Sequence, residues 1–147
     1  MITAFHHISF TVLDADRSVT FYRDTLGMNL LSVSERDPTF SEKVTGVEGA
    51  HLKIAYLEGG GVKLELIQYL SPPRMRQEVI AHTVGLTHIC FLVDDIAKMY
   101  RELNGKGVAF RSEPVAIQTG GMKGGYTVLF SGPDGNAIEL IQPPKQT

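Results

Sequence analysis

Residues 7–14 read HISFTVLD and residues 88–95 read HICFLVDD. His, Ile, Phe, Val and Asp coincide, in the pattern H-I-x-F-x-V-x-D. Later in each half the tetrapeptide ELIQ recurs, at 65–68 and at 139–142. Two matched signatures, in the same order and at similar spacing, identify an internal duplication. A missed repeat misassigns a whole fold, so this one governs the rest of the reading.

Outward from the first signature, Phe5, His7, Ser9 and Thr11 alternate with His6, Ile8, Phe10 and Val12, the period-two pattern of a strand. Asp14 or Asp16 then caps a helix running to about Leu26, with Val19, Tyr22 and Leu26 spaced for one face and Gly27 as its stop. Strands are expected at Asn29–Val33 and His51–Leu57. The turn Gly59-Gly60-Gly61 leads into a last strand, Val62–Tyr69. The second half repeats the plan. Leu86–Val93 is a strand, and Asp94 or Asp95 caps a helix carrying Ile96, Met99, Tyr100 and Leu103, which Gly105 and Gly107 end. Val108–Phe110, Tyr126–Phe130 and Ala137–Ile141 read as strands, the last two joined by the turn Pro133-Asp134-Gly135-Asn136.

The expected fold is therefore α+β: two paired βαβββ modules, at 4–70 and 85–142, within a single domain spanning 1–147. A linker at 71–84 opens with Pro72-Pro73 and holds a short helix-like stretch, Met75–Ala81. The Pro143-Pro144 tail is expected to fray.

Bulk composition is permissive. The 147 residues are 43% hydrophobic and 20% charged, with 14 basic and 16 acidic side chains for a net charge of −2. No basic stripe is present, which excludes nucleic acid as an expected partner. The opening MITAFHHISF lacks the pattern of a signal peptide, and no apolar run reaches the roughly 20 residues needed to span a bilayer. One cysteine, Cys90, makes no internal disulfide, so a reducing cytoplasm is the expected compartment.

Alternate side chains of a strand share a face. His7 lies with Ser9 and Thr11, opposite Ile8, Phe10 and Val12, and His88 stands in the same relation to Cys90 and Leu92. Glu65 sits between Leu64 and Leu66, and Glu139 between Ile138 and Leu140. A lone strand histidine is more often a hydrogen-bonded structural residue than a ligand, and a lone strand glutamate is usually solvated. Here the pairing repeats. If a pseudo-twofold axis relates the halves, His7, Glu65, His88 and Glu139 surround one point, two imidazoles and two carboxylates suited to one divalent ion such as Mn²⁺, Fe²⁺, Co²⁺, Ni²⁺ or Zn²⁺. His6 faces the other way and has Thr87 in its counterpart position; His51 and His82 have no repeat partners and read as surface residues.

The stretch HHISFTVLDADRSVTFYRDTLGMNLL resembles the first-module signature of the vicinal oxygen chelate superfamily, and GLTHICFLVDDI with GPDGNAIELIQ resembles the second. That superfamily includes glyoxalase I, methylmalonyl-CoA epimerase, extradiol dioxygenases and the fosfomycin- and bleomycin-resistance proteins. The resemblance covers essentially the whole chain. It implies the glyoxalase/bleomycin-resistance/dioxygenase fold, with paired modules forming a half-open β-barrel around a metal site. It places His7, Glu65, His88 and Glu139 at the four ligand positions and implies a homodimer. Bleomycin-binding members generally lack these ligands. Extradiol dioxygenases match His7, His88 and Glu139, and the additional Glu65 favours the isomerase and lyase branch, although methylmalonyl-CoA epimerases often carry glutamine there. Thr11 replaces the glutathione-binding arginine of glyoxalase I, and Tyr69 replaces its asparagine, which counts against the tripeptide. The loop Gly121-Met122-Lys123-Gly124 resembles glyoxalase I's mobile loop, making Lys123 and Met122 candidate substrate contacts.

The implied chemistry is Lewis-acid stabilisation of an enediolate or enolate of a small carbonyl or thioester substrate. Glu139 is the first candidate for the general base and Glu65 the second. Glu48 is a weaker acid/base candidate, and Arg74 and Arg76 are candidates for phosphate contacts. An Fe(II) extradiol-type dioxygenase and a metal-containing resistance or binding protein, including epoxide-opening fosfomycin-type enzymes, are the alternatives.

Overall fold

In the computed structural model, which describes residues 1–76, 78 and 80–145, the chain separates into two compact units, Met1–Gln77 and Glu78–Thr147. The first contains β1 (Ile8–Thr11), α1 (Ala15–Thr20, continued by a π-helical turn, Phe21–Thr25), β2 (Asn29–Glu35), α2 (Pro38–Thr45), β3 (His51–Gly59) and β4 (Val62–Ser71). The second contains β5 (His88–Leu92), α3 (Ile96–Gly105), β6 (Val115–Ala116), β7 (Tyr126–Ser131) and β8 (Ala137–Gln142).

Each unit forms one four-stranded sheet, in the orders β1-β4-β3-β2 and β5-β8-β7-β6. In both, the first strand runs parallel to the last and the remaining pairings are antiparallel. The duplication visible in the motifs is thus a duplication of topology.

The helices form where their caps sit. Asp14 accepts the Arg17 N–H at 3.0 Å and Asp95 accepts the Lys98 N–H at 2.8 Å, satisfying donors that the first turn leaves unpaired. Of the two candidates in each half, the residue immediately before the helix is the cap. Ala15, Ser18, Val19 and Tyr22 then bury one face of the first helix, and α1 packs on β3 and β4. Leu64 and Leu66 of β4 are fully buried, as are Ile138 and Leu140 of β8. Each such side chain contributes about 1.5–3 kcal/mol through burial.

Three segments differ from the sequence expectation. Residues 38–45, which lie between the strands expected at Asn29–Val33 and His51–Leu57 and carry no expected element, form α2, capped by Asp37 on the Phe40 N–H at 2.9 Å with Pro38 in the first turn. Its only large apolar residues, Phe40 and Val44, are exposed, so no buried stripe announces it. The strand expected at Val108–Phe110 shrinks to one bridge, Phe110 with Phe130, and the ladder resumes only at β6. Residues 111–113 bend ahead of Pro114, which brings no N–H to a ladder. The helix-like stretch Met75–Ala81 is not helical at its described residues; Gln77 and Val79 lie outside them, as do Gln146 and Thr147 of the tail.

Among the described residues, no helix is long and apolar enough to cross a membrane.

Candidate metal centre

The β3–β4 hairpin sets the first half of the site. Gly60 and Gly61 both hold positive φ, 59° and 80°, the conformation of a two-residue type I′ turn that side chains resist. The pairing then counts back from Gly59 with Val62 to Tyr56 with Glu65. On the other side of β4, the parallel register sets Ser9 beside Glu65. Leu64, Leu66 and Gln68 alternate onto the face that carries α1, where Gln68 Oε1 accepts the Ala15 N–H at 2.8 Å. Glu65 consequently lies on the opposite face.

There His7, one residue before β1, brings its Nε2 to 3.1 Å from Glu65 Oε2. Ser9 Oγ donates to the same oxygen, and the Tyr56 hydroxyl donates to Glu65 Oε1. The Tyr56 ring meets the His7 imidazole edge-on, with centroids 5.7 Å apart. Burial, and then the carboxylate of Glu65, raise the Tyr56 pKa above its ordinary 10, so the phenol keeps its proton and remains a donor.

The second unit repeats the arrangement. His88 Nε2 lies 3.0 Å from Glu139 Oε2, and Thr127 Oγ1 donates to Glu139 Oε1 at 2.7 Å. Cys90 takes the place of Ser9, in register with Glu139. Its thiol is pushed up to about 11, by burial first and the neighbouring carboxylate second, and so stays neutral at physiological pH.

Each unit therefore brings one imidazole nitrogen close to one carboxylate oxygen. Ligands held 2.0–2.2 Å from one octahedral ion at right angles lie about 3 Å apart. The donor set and spacing of both pairs fit neighbouring metal ligands; the same spacing also serves an ion pair. Among the described residues, no cluster of three or more His, Cys, Asp or Glu side chains forms within either unit.

The other candidates stand elsewhere. Lys123 is exposed on a turn in which its N–H donates to Gly120 O at 3.1 Å, and neighbouring Met122 is exposed as well. Glu48 is exposed just after α2. Arg74 donates to the Tyr69 carbonyl at 2.6 Å, and Arg76 is exposed. His6 Nδ1 sits 2.6 Å from His7 Nδ1, so it neighbours the site despite having no repeat partner. His51 pairs with Glu35 at 3.2 Å. Sequence reasoning missed Tyr56 and Thr127. The glycine turn was the available signal for Tyr56, because a two-residue loop dictates which residues of a hairpin face each other.

Two repeated βαβββ sheets, each with a His–Glu pair on the face away from its helix, define the class as a duplicated protein of the glyoxalase/bleomycin-resistance/dioxygenase fold. The family model of the Glyoxalase/Bleomycin resistance protein/Dioxygenase superfamily matches residues 4–140, and the chain belongs to that superfamily. Its relatives include a 2-epi-5-epi-valiolone epimerase from Actinomyces sp, 31% identical over 96% of this chain and 80% of that protein. A lactoylglutathione lyase from Haemophilus influenzae is also 31% identical, over 92% of this chain and 90% of that protein. A glyoxalase family protein from Bacillus cereus superposes with a TM-score of 0.84 at 21% identity, over 99% and 97% of the two chains, a likeness of fold.

Proposed function

We propose that His7, Glu65, His88 and Glu139 hold one divalent metal ion, of the zinc, nickel, cobalt, manganese or iron class. In this reading the protein is an epimerase, isomerase or lyase that moves a proton on the carbon beside a carbonyl. The observation that carries the reading is the repeated approach of an imidazole nitrogen to a carboxylate oxygen, at 3.1 Å in one unit and 3.0 Å in the other. When bound, such an ion supplies a Lewis acid that stabilises negative charge developing on a substrate oxygen.

The chain's own residues do the rest. Glu139 takes the α-proton and returns it; its side chain is 18% exposed against 9% for Glu65, leaving it more room to reach a substrate. His7, His88 and Glu65 remain in place. Met122 and Lys123 contact the substrate from their exposed loop, with Lys123 meeting an anionic group. The relative named as an epimerase supports a carbonyl substrate whose neighbouring carbon inverts, since inversion at such a carbon proceeds through loss of its proton. A homodimer belongs to the same proposal.

The test is a panel of α-hydroxy ketones, α-hydroxy aldehydes and α-substituted thioesters in D₂O, with protein loaded with Zn²⁺, Ni²⁺, Co²⁺ or Mn²⁺ and read by NMR. Deuterium uptake at the α-carbon without dioxygen is expected for at least one compound. Turnover only with Fe²⁺ and dioxygen, with no exchange, would replace this reading with an oxygenase.

A further inference from the structure

The two carboxylates are flanked from the same two sides, but by different chemistry. On the edge-strand side, two residues after the histidine, the Ser9 hydroxyl of the first unit donates to Glu65, whereas the second unit has the Cys90 thiol, a much weaker donor whose Sγ is directed to the Phe91 carbonyl at 4.0 Å. On the other side, the first unit offers the phenol of Tyr56, in register with Glu65. The second has Leu129 at that register position, and its donor is the aliphatic hydroxyl of Thr127, two residues away along β7. A phenol is more acidic than an alkanol and donates the stronger hydrogen bond to a carboxylate. Tyr56 also rests against the His7 ring, so one side chain contacts both members of the first pair. No residue holds both members of the second pair in this way among the contacts of the described residues.

We infer that Tyr56 is a positioning residue: with Ser9 it pins Glu65 as a static carboxylate, making the halves of the duplicated site unequal. Glu139, whose hydroxyl donor is Thr127 alone among the described residues, has no such brace. The inference rests on the metal reading above and deepens it, assigning the fixing of Glu65 to Tyr56 and Ser9.

The test uses Co²⁺ alone as probe. Metal-free wild type, Tyr56→Phe, Ser9→Ala and Thr127→Val proteins are titrated with Co²⁺, following the visible absorption of the bound ion, after thermal midpoints confirm that each is folded. Removing a partner of a metal-ligating residue typically weakens metal binding about 10- to 100-fold. Tyr56→Phe is expected to weaken Co²⁺ binding by about tenfold or more and to shift its absorption spectrum. Ser9→Ala is expected to act in the same direction, and Thr127→Val to cost less than Tyr56→Phe. Wild-type affinity and spectrum in Tyr56→Phe, or an equal loss in Thr127→Val, overturns the inequality and leaves the metal reading standing. A wild type that takes up no Co²⁺ overturns the metal reading, and the role of Tyr56 with it.

Discussion

Gln68 Oε1 accepts the backbone N–H of Ala15 at 2.8 Å, so the last residue of the first ELIQ closes the first turn of α1. Gln142, the last residue of the second ELIQ, does the same for Ile96 of α3, also at 2.8 Å. The tetrapeptide therefore repeats for two reasons. Its glutamate faces one side of the sheet and its glutamine ties a helix to the other.

Ala15 is fully buried, and Gln68→Leu leaves its N–H without this acceptor. A buried donor without an acceptor costs about 1–3 kcal/mol. Urea unfolding should show a loss in that range. A Gln68→Leu midpoint equal to wild type would show that water or another group replaces the bond.

The Asp14 cap predicts a pH-dependent effect. Its carboxyl is held below the ordinary 3.8, chiefly by the Arg17 N–H, with burial opposing. A lowered folded-state pKa means that the stabilisation is complete above the unfolded value and is lost as pH falls through the folded one. Asp14→Ala should therefore cost about 1 kcal/mol at pH 7. Its urea midpoint should converge on that of wild type as the pH is taken below 3.8.

Phe130 is fully buried and packs on Phe110, with ring centroids 5.2 Å apart. Phe130→Ala should cost about 3–5 kcal/mol through lost burial and the cavity left behind. Equilibrium unfolding of the variant measures it, and a cost below 1 kcal/mol would mean that the second core collapses around the gap.

The two glutamates should separate by phenotype. In metal-loaded protein, Glu139→Gln is expected to slow deuterium exchange into a responsive substrate by about 10²- to 10⁴-fold, the usual range for a general base. Glu65→Gln is expected to weaken metal binding in the first place. The reverse pattern, seen by NMR exchange beside metal titration, would assign proton transfer to Glu65.

Metal removal supplies the last prediction. Dialysis against a chelator should abolish exchange, and re-addition of one divalent metal should restore it. His7→Ala and His88→Ala should each lower bound metal, measured by elemental analysis. Exchange that survives complete removal of metal would contradict the proposed centre.

Much of the fold was legible because its signals are local. The period-two runs around His7 and His88, the aspartates before α1 and α3 and the ELIQ repeats mark elements through backbone chemistry acting within a few residues. The helix α2 escaped because its exposed Phe40 and Val44 make no buried stripe, although Asp37, Pro38 and Gly46 mark its ends. The broken strand after α3 escaped because its single bridge depends on where β7 lies. Of the site, each His–Glu pair was legible from the repeat, whereas its hydroxyl donors were not.

From sequence alone came the duplication, the superfamily resemblance and the pairing of one histidine with one glutamate in each half, since residue type and spacing are written along the chain. Only the tertiary structure placed Ser9 and Tyr56 on Glu65 and Thr127 on Glu139. Those neighbours are set by strand register, and register is decided when separate segments of backbone exchange hydrogen bonds. A one-residue slip would turn the same side chains to the opposite face.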